Sequence, residues 1–151
     1  MTDEQYYAKE WLNRMYNLSL WLESLETKRE SVLAALSGVA KYSQEFGGSS
    51  GENPTETKNI EYSLLSQKID EESEKLAVED TRTLKVISML GDSPKENLMK
   101  TILNYRYVER LGTWAKIADT IHYSESRTQD YHLLALETIY PFIPKEILNE
   151  D

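Results

Sequence analysis

The chain has 151 residues, 40% apolar and 28% charged, with a formal net charge of −9; it can core one or two small domains and is not wholly disordered, and its acidity argues against broad nonspecific nucleic-acid binding. The absence of cysteine excludes disulfides and thiolate metal sites and fits a reducing cytoplasm. The apolar runs are too short to span a bilayer, and the acidic start Met1-Thr2-Asp3-Glu4-Gln5 is unlike a secretory signal, so the chain reads as soluble and intracellular.

The first element is a long helix from about Asp3 to Tyr42. Trp11, Met15, Leu18, Leu22, Leu25, Arg29, Val32, Leu36 and Val39 alternate in steps of four and three. That is an a/d heptad stripe with one charged interruption at Arg29. Gly38 is a weak point near its end. For Trp11, Trp21 and the Tyr6–Tyr7 pair, plain packing is preferred to a ligand site, because aromatics at helical spacing usually fill cores or interfaces.

"GGSSGENP" (Gly47 to Pro54) reads as a flexible connection by its glycines and serines, with the loop near 43–53. The second helix starts with Asn53 as cap, Pro54 in the first turn and Glu56 as capping-box partner. Tyr62, Leu65, Ile69, Leu76, Val86 and Leu90 keep heptad spacing, and Glu72, Glu79 and Thr83 fill the remaining stripe positions. Two helices of this length are too narrow to be globular alone, so they are expected to fold back as an antiparallel hairpin, with pairing to a second chain also open. The carboxylate run "IDEESE" (Ile69 to Glu74) is read as a solvated face, with no pocket for acid–base work implied.

"GDSPKE" punctuates the chain. Gly91 suits a left-handed helix end, Ser93 caps the next helix, Pro94 begins it and Glu96 completes a capping box. This third helix is expected from about Pro94 to Arg110, with Leu98, Ile102, Leu103, Tyr105 and Val108 facing inward. After Gly112, Thr113 can cap a short helix, Trp114 to Ile121, buried through Trp114, Ile117, Ala118 and Ile121. His122 and Tyr123 make a bend. Ser124 caps a last helix whose stripe is Thr128, Tyr131, Ala135, Leu136 and Ile139, and Tyr140-Pro141 ends it.

Short helix, tight bend, second helix is the layout of a helix-turn-helix. The stripe leaves Glu125, Ser126, Arg127, Gln129 and Asp130 exposed at the start of the last helix, where such modules reach base edges. Arg127 suits guanine and Gln129 adenine, each through two hydrogen bonds; Glu125 and Asp130 can accept from cytosine or repel nonspecific DNA. Ser126 can bond to base or phosphate. Thr113, Lys116 and Ser124 complete the candidate DNA-binding set, with Lys116 placed to touch the backbone and the helix start at Ser124 favouring phosphate. Charge is divided to match. Residues 1–93 hold 10 Lys/Arg against 17 Asp/Glu, residues 94–145 hold 7 against 6, and the last six residues add three acids.

The stretch "LNYRYVERLGTWAKIADTIHYSESRTQDYHLLALETI" resembles the fourth region of bacterial sigma factors. The shared features are an apolar-x-x-Arg-Tyr helix, Thr113 opening a helix with Ile117-Ala118, the Tyr123-Ser124 step, and Ala135-Leu136 late in the last helix. The whole chain is similar to small phage-encoded regulators of Gram-positive bacteria, the ArpU-like and RinA-like late transcription activators and allied phage proteins. The resemblance implies an all-α chain, with a long N-terminal antiparallel helical hairpin followed by a sigma-like helix-turn-helix bundle. It also implies DNA binding and control of transcription. His122 stands where glycine commonly makes the bend, Leu134 where a basic residue is often found, and Glu125 and Asp130 are acidic where basic or neutral residues are common.

The expected organisation is a helical arm over 1–92, a DNA-binding domain over 93–145 and an acidic tail over 146–151. No catalytic, cofactor or metal site is expected: the two histidines, His122 and His132, lack partners at metal spacing and read as structural, and no Gly-rich phosphate loop follows a strand. The leading expectation is a phage or prophage transcriptional regulator in the host cytoplasm, binding double-stranded DNA. Its arm would set a homo-oligomeric state, a dimer being favoured, or contact RNA polymerase. The alternatives are a DNA-packaging protein of the small-terminase kind, and a protein-interaction factor with a degenerate helix-turn-helix.

Overall fold

Thr2 opens the first helix by exchanging two hydrogen bonds with Gln5. Its Oγ1 accepts from the Gln5 N–H at 3.1 Å, and its own N–H donates to Gln5 Oε1 at 2.8 Å. In the computed structural model, which describes residues 1–46 and 54–145, this capping box starts α1 (Asp3–Leu12). Of the loop expected near 43–53, residues 43–46 are helical instead, as the end of α2; residues 47–53 and the acidic tail over 146–151 lie outside the described residues, as does the side chain of Val39. The remaining helices are α2 (Tyr16–Phe46), α3 (Pro54–Ile87), α4 (Pro94–Leu103), α5 (Trp114–Ile121) and α6 (Glu125–Ile139), with single 3-10 turns at Ser88–Leu90 and Tyr140–Phe142. Among the described residues the chain is all-helical, with no strand. None of these helices is long and apolar enough to cross a membrane.

The single helix expected from Asp3 to Tyr42 is broken at Asn13–Met15. Arg14 explains the break. Its backbone N–H and its Nη1 both donate to the Trp11 carbonyl, at 3.2 and 3.0 Å, and Nη2 reaches Glu79 Oε2 at 3.0 Å. A carbonyl engaged this way no longer depends on the regular i+4 donor, and Asn13 is a weak helix former at the same point. Past the break α2 runs to Phe46, four residues beyond the expected end.

The chain divides into two units. One comprises Met1–Tyr16 with Val78–Asp151, the other Asn17–Ala77. The division differs from the expected 1–92 and 93–145. The C-terminal helices bury their apolar faces against α1 and the end of α3, so both belong to one core. Ala8, Trp11 and Leu12 of α1 cluster with Val86, Ile87, Leu90, Met99, Leu103, Tyr107, Ala135, Leu136, Ile139 and Ile143. Within this unit α6 lies against α1, α4 and α5.

In the second unit Leu22 and Leu25 of α2 cluster with Ile69, Leu65 and Leu76 of α3. Lys28 pairs with Glu61 at 3.7 Å, and Arg29 Nη1 donates to Ser66 Oγ at 3.4 Å. Glu72 is buried as its stripe spacing predicts, so the run Ile69–Glu74 is not wholly the solvated face expected of it. The Glu72 carboxylate lies 3.1 Å from Lys68 and 3.5 Å from Lys75, and the hydrogen bond from Lys68 leads in holding it below the usual carboxylate range. Thr83, a stripe position in the first unit, is also buried. The packing expected of every N-terminal aromatic is not observed: Trp11 is buried and Tyr7 packs edge-on against Tyr140, but Tyr6 and Trp21 are exposed.

The helix expected to reach Arg110 ends as α4 at Leu103. It continues as one π-helical stretch, Asn104–Val108, in which the Glu109 N–H donates to the Asn104 carbonyl at 2.8 Å. An extra residue in the turn rotates the downstream side chains by about 100°. Tyr107 is therefore buried, whereas Tyr105, expected inward, is only half-buried. Beyond it Arg110 has a positive φ of 53°, and its guanidinium grips both oxygens of Asp80 at 2.7 and 3.2 Å.

Gly91 shows why glycine stands before α4. Its φ is 106°, and an added Cβ would run into the Glu96 carboxylate. That carboxylate accepts from the Ser93 N–H at 3.2 Å while Ser93 Oγ accepts from the Glu96 N–H at 3.1 Å. Gly91→Ala should therefore lower stability by about 1–3 kcal/mol, the usual cost of a side chain forced into a sparsely populated backbone region. Chemical denaturation checks this; an unchanged midpoint would show that the turn relaxes freely.

Candidate nucleic-acid interface

Local hydrogen bonding sets the geometry from Thr113 to Ile139. Thr113 Oγ1 accepts from the Lys116 N–H at 3.2 Å and starts α5. His122 ends it in the left-handed conformation, φ 63° and ψ 39°, which histidine adopts more readily than a branched residue. The Tyr123 N–H returns to the Ala118 carbonyl at 3.1 Å. Ser124 Oγ then accepts from the Arg127 N–H at 3.1 Å and opens α6, while Thr128 Oγ1 donates back to the Ser124 carbonyl at 2.8 Å. Ile117 and Ala118 are buried from α5, and Thr128, His132, Ala135, Leu136 and Ile139 from α6.

This leaves Thr113, Lys116, Ser124, Glu125, Ser126, Arg127, Gln129 and Asp130 all exposed. Thr113 and Ser124 use their hydroxyl oxygens as cap acceptors, so each retains its O–H as a donor. Arg127 is the best-positioned cation of the set. Its guanidinium carbon lies 5.6 Å from the Tyr123 ring centre and 5.9 Å from that of Tyr131, and the two rings meet edge to face at 6.1 Å. Aromatic faces attract a cation without neutralising it. The charge stays available to an anion.

Three features add to the sequence reading or depart from it. Lys95, in the first turn of α4, shares a shallow groove of about 250 Å³ with Arg127, Asp130, Tyr131 and Leu134. Tyr131, expected inside, is half-exposed, which lets it meet Arg127 and Tyr123. His132 is buried where the stripe predicts no polar group. Its Nε2 lies 2.6 Å from Tyr107 Oη, and its ring centre is 4.5 Å from that of Trp114. Burial, with repulsion from Arg106 and Lys9, pushes the imidazole down to about 3, so it stays neutral. Burial likewise raises the Tyr107 phenol. Arg106 braces the start of α5 from outside, donating to the Gly112 carbonyl at 2.6 Å and stacking over Trp114 at 4.5 Å. The i, i+4 step from Thr128 to His132 was the one available signal for His132, and its polarity masked it.

Among the described residues no group of three or more His, Asp or Glu is arranged to hold a metal. The chain matches no family model, no curated protein and no solved structure.

Proposed function

We propose that the chain is a phage or prophage transcriptional regulator that reads double-stranded DNA in the host cytoplasm. In this reading α5 and α6 form a sigma-like helix-turn-helix, and α6 enters the major groove with Arg127 and Gln129 toward base edges. One observation carries it. A left-handed turn and a capped α6 start leave Arg127 exposed over two tyrosines, with no carboxylate bound to it among the described residues. The resemblance to sigma region four and to late-activator families supports the same reading.

The acidity of the chain fits it as well. Most of the excess carboxylate lies in residues 1–93, where it repels DNA that the reading helix does not recognise. Binding is then weak, selective and salt-sensitive. We take α2 and α3 as an antiparallel hairpin; the pairing of Lys28 with Glu61, and of Leu25 with Ile69 in one cluster, supports this. The hairpin would set a homodimer able to read two half-sites about one helical turn apart, or contact RNA polymerase.

Selection of source-genome fragments on the purified protein at ~50 and ~200 mM salt tests the reading. One upstream region should be enriched, more strongly at the lower salt. Arg127→Ala should lose about 1–3 kcal/mol of discrimination at one base pair, the usual worth of a bidentate arginine–guanine contact. No retention of DNA at either salt would overturn the proposal.

A further inference from the structure

In the unit that holds α4, α5 and α6, several cations are committed to carboxylates. Arg14 and Arg82 hold Glu79, Lys100 holds Asp92 and Arg110 holds Asp80. Lys95, Lys116 and Arg127, like Lys85 and Lys145, hold no carboxylate among the described residues, and all five are exposed. Two of these, Lys95 from α4 and Arg127 from α6, border the same groove, with Tyr131 and Leu134 along it and Asp130 as its one acid. Residues far apart in the chain thus put two uncommitted positive charges beside the first turns of α6.

Lys95 is also out of place for helix stability. It follows Pro94 in the first turn of α4, at the end of the helix dipole where a cation is unfavourable. It is half of no ion pair among the described residues that would offset this. A residue that breaks a local rule without local compensation is expected where function requires it.

We propose that Lys95 is a backbone-contacting residue of the DNA interface, holding a phosphate of the same duplex that Arg127 reads, in the groove it shares with α6. This rests on the DNA-binding reading above. A phosphate there meets the Lys95 ammonium, the Arg127 charge beside it favours the same anion while its guanidinium turns to a base, and Asp130 opposes it. Lys95 then contributes affinity on any sequence, whereas Arg127 and Gln129 contribute preference. Asp130 limits how well the groove holds DNA whose bases do not suit α6.

The test titrates the full chain with two labelled duplexes, a fragment recovered in the genomic selection and a mixed-sequence duplex, between ~50 and ~200 mM salt. Each phosphate contact contributes about 0.9 to the slope of log affinity against log salt. Lys95→Ala should therefore flatten the fall in affinity over that fourfold interval by about 3.5-fold, equally on both duplexes. Lys95→Arg should restore the slope. Asp130→Asn should tighten binding to the mixed-sequence duplex more than to the selected one. The alanine variant removes an unfavourable charge from the start of α4, so its thermal midpoint should not fall. If wild type binds and Lys95→Ala leaves the slope unchanged, the assignment of Lys95 is overturned and the DNA-binding reading stands. If wild type binds neither duplex even at the lowest salt, both fail together.

Discussion

Trp11→Ala should cost about 3–5 kcal/mol of unfolding free energy, the range for removing a large aromatic from a closed core, and should loosen the C-terminal helices although residue 11 lies at the other end of the chain. Trp11 is 1% exposed, and it shares a cluster with Leu103, Leu136 and Ile139. Arg14 caps its ring at 4.0 Å and ties the same turn to Glu79. Gln5 adds a direct bond to α6, its Nε2 donating to the Leu133 carbonyl at 3.0 Å. A loss of that size is a large share of a small domain's stability. Urea unfolding followed by circular dichroism measures it. Trp11→Phe should lose much less, because it keeps a ring in the cavity and removes an indole Nε1 that is buried without a hydrogen-bond partner among the described residues. For the same reason a fragment beginning at residue 93 should not fold cooperatively. It lacks Ala8, Trp11, Leu12, Val86, Ile87 and Leu90, which close one side of its core. A fragment with a sharp unfolding transition of its own would show that α1 is dispensable.

The second large effect is on acid stability. In the folded chain His132 titrates at about 3, whereas an unfolded histidine titrates near 6.5. Between those values the unfolded chain binds one more proton than the folded one, so protonation favours unfolding. The stabilisation is complete above pH 6.5 and is lost as pH falls, at up to about 1.4 kcal/mol per pH unit. The window from pH 6.5 to about 5 isolates this residue. Glu61, Glu72 and Glu96 are held below the ordinary carboxylate range by hydrogen bonds from Lys58, Lys68 and Ser93, so their contributions fade only at lower pH. His132→Gln can still bond to Tyr107 Oη and has no charge to gain. Its stability should be flat across the window, while wild type slopes. Equal slopes in the two proteins would mean that the buried imidazole is not what titrates.

The starts of α4, α5 and α6 at Ser93, Thr113 and Ser124 were legible in the residues alone, and so was the bend at His122. Caps and left-handed ends are decided within three or four residues, so the information is local. Periodicity likewise found Leu22, Leu25, Val32, Ile69, Glu72, Thr83 and Val86 as inward positions, because a helix repeats its faces at a fixed spacing. Glu125, Ser126, Arg127, Gln129 and Asp130 followed as exposed from the complement of α6's buried stripe, and this needed no tertiary information.

Tertiary packing decided the rest. A heptad stripe says that Trp11 is buried but not against what. Its cluster partners, on α3, α4 and α6, are far along the chain, and at the break over Asn13–Met15 Arg14 takes the Trp11 carbonyl and reaches Glu79. The π-helical turn that buries Tyr107 in place of Tyr105 has no signature in a regular 3.6-residue pattern. The Tyr107–His132 bond depends on that turn. Lys95 met Arg127 for the same kind of reason. Their proximity is a consequence of α4 lying against α6. Local chemistry determined where each helix begins and which face it hides. Which faces meet was decided by burial shared between distant segments, which no short stretch of sequence encodes.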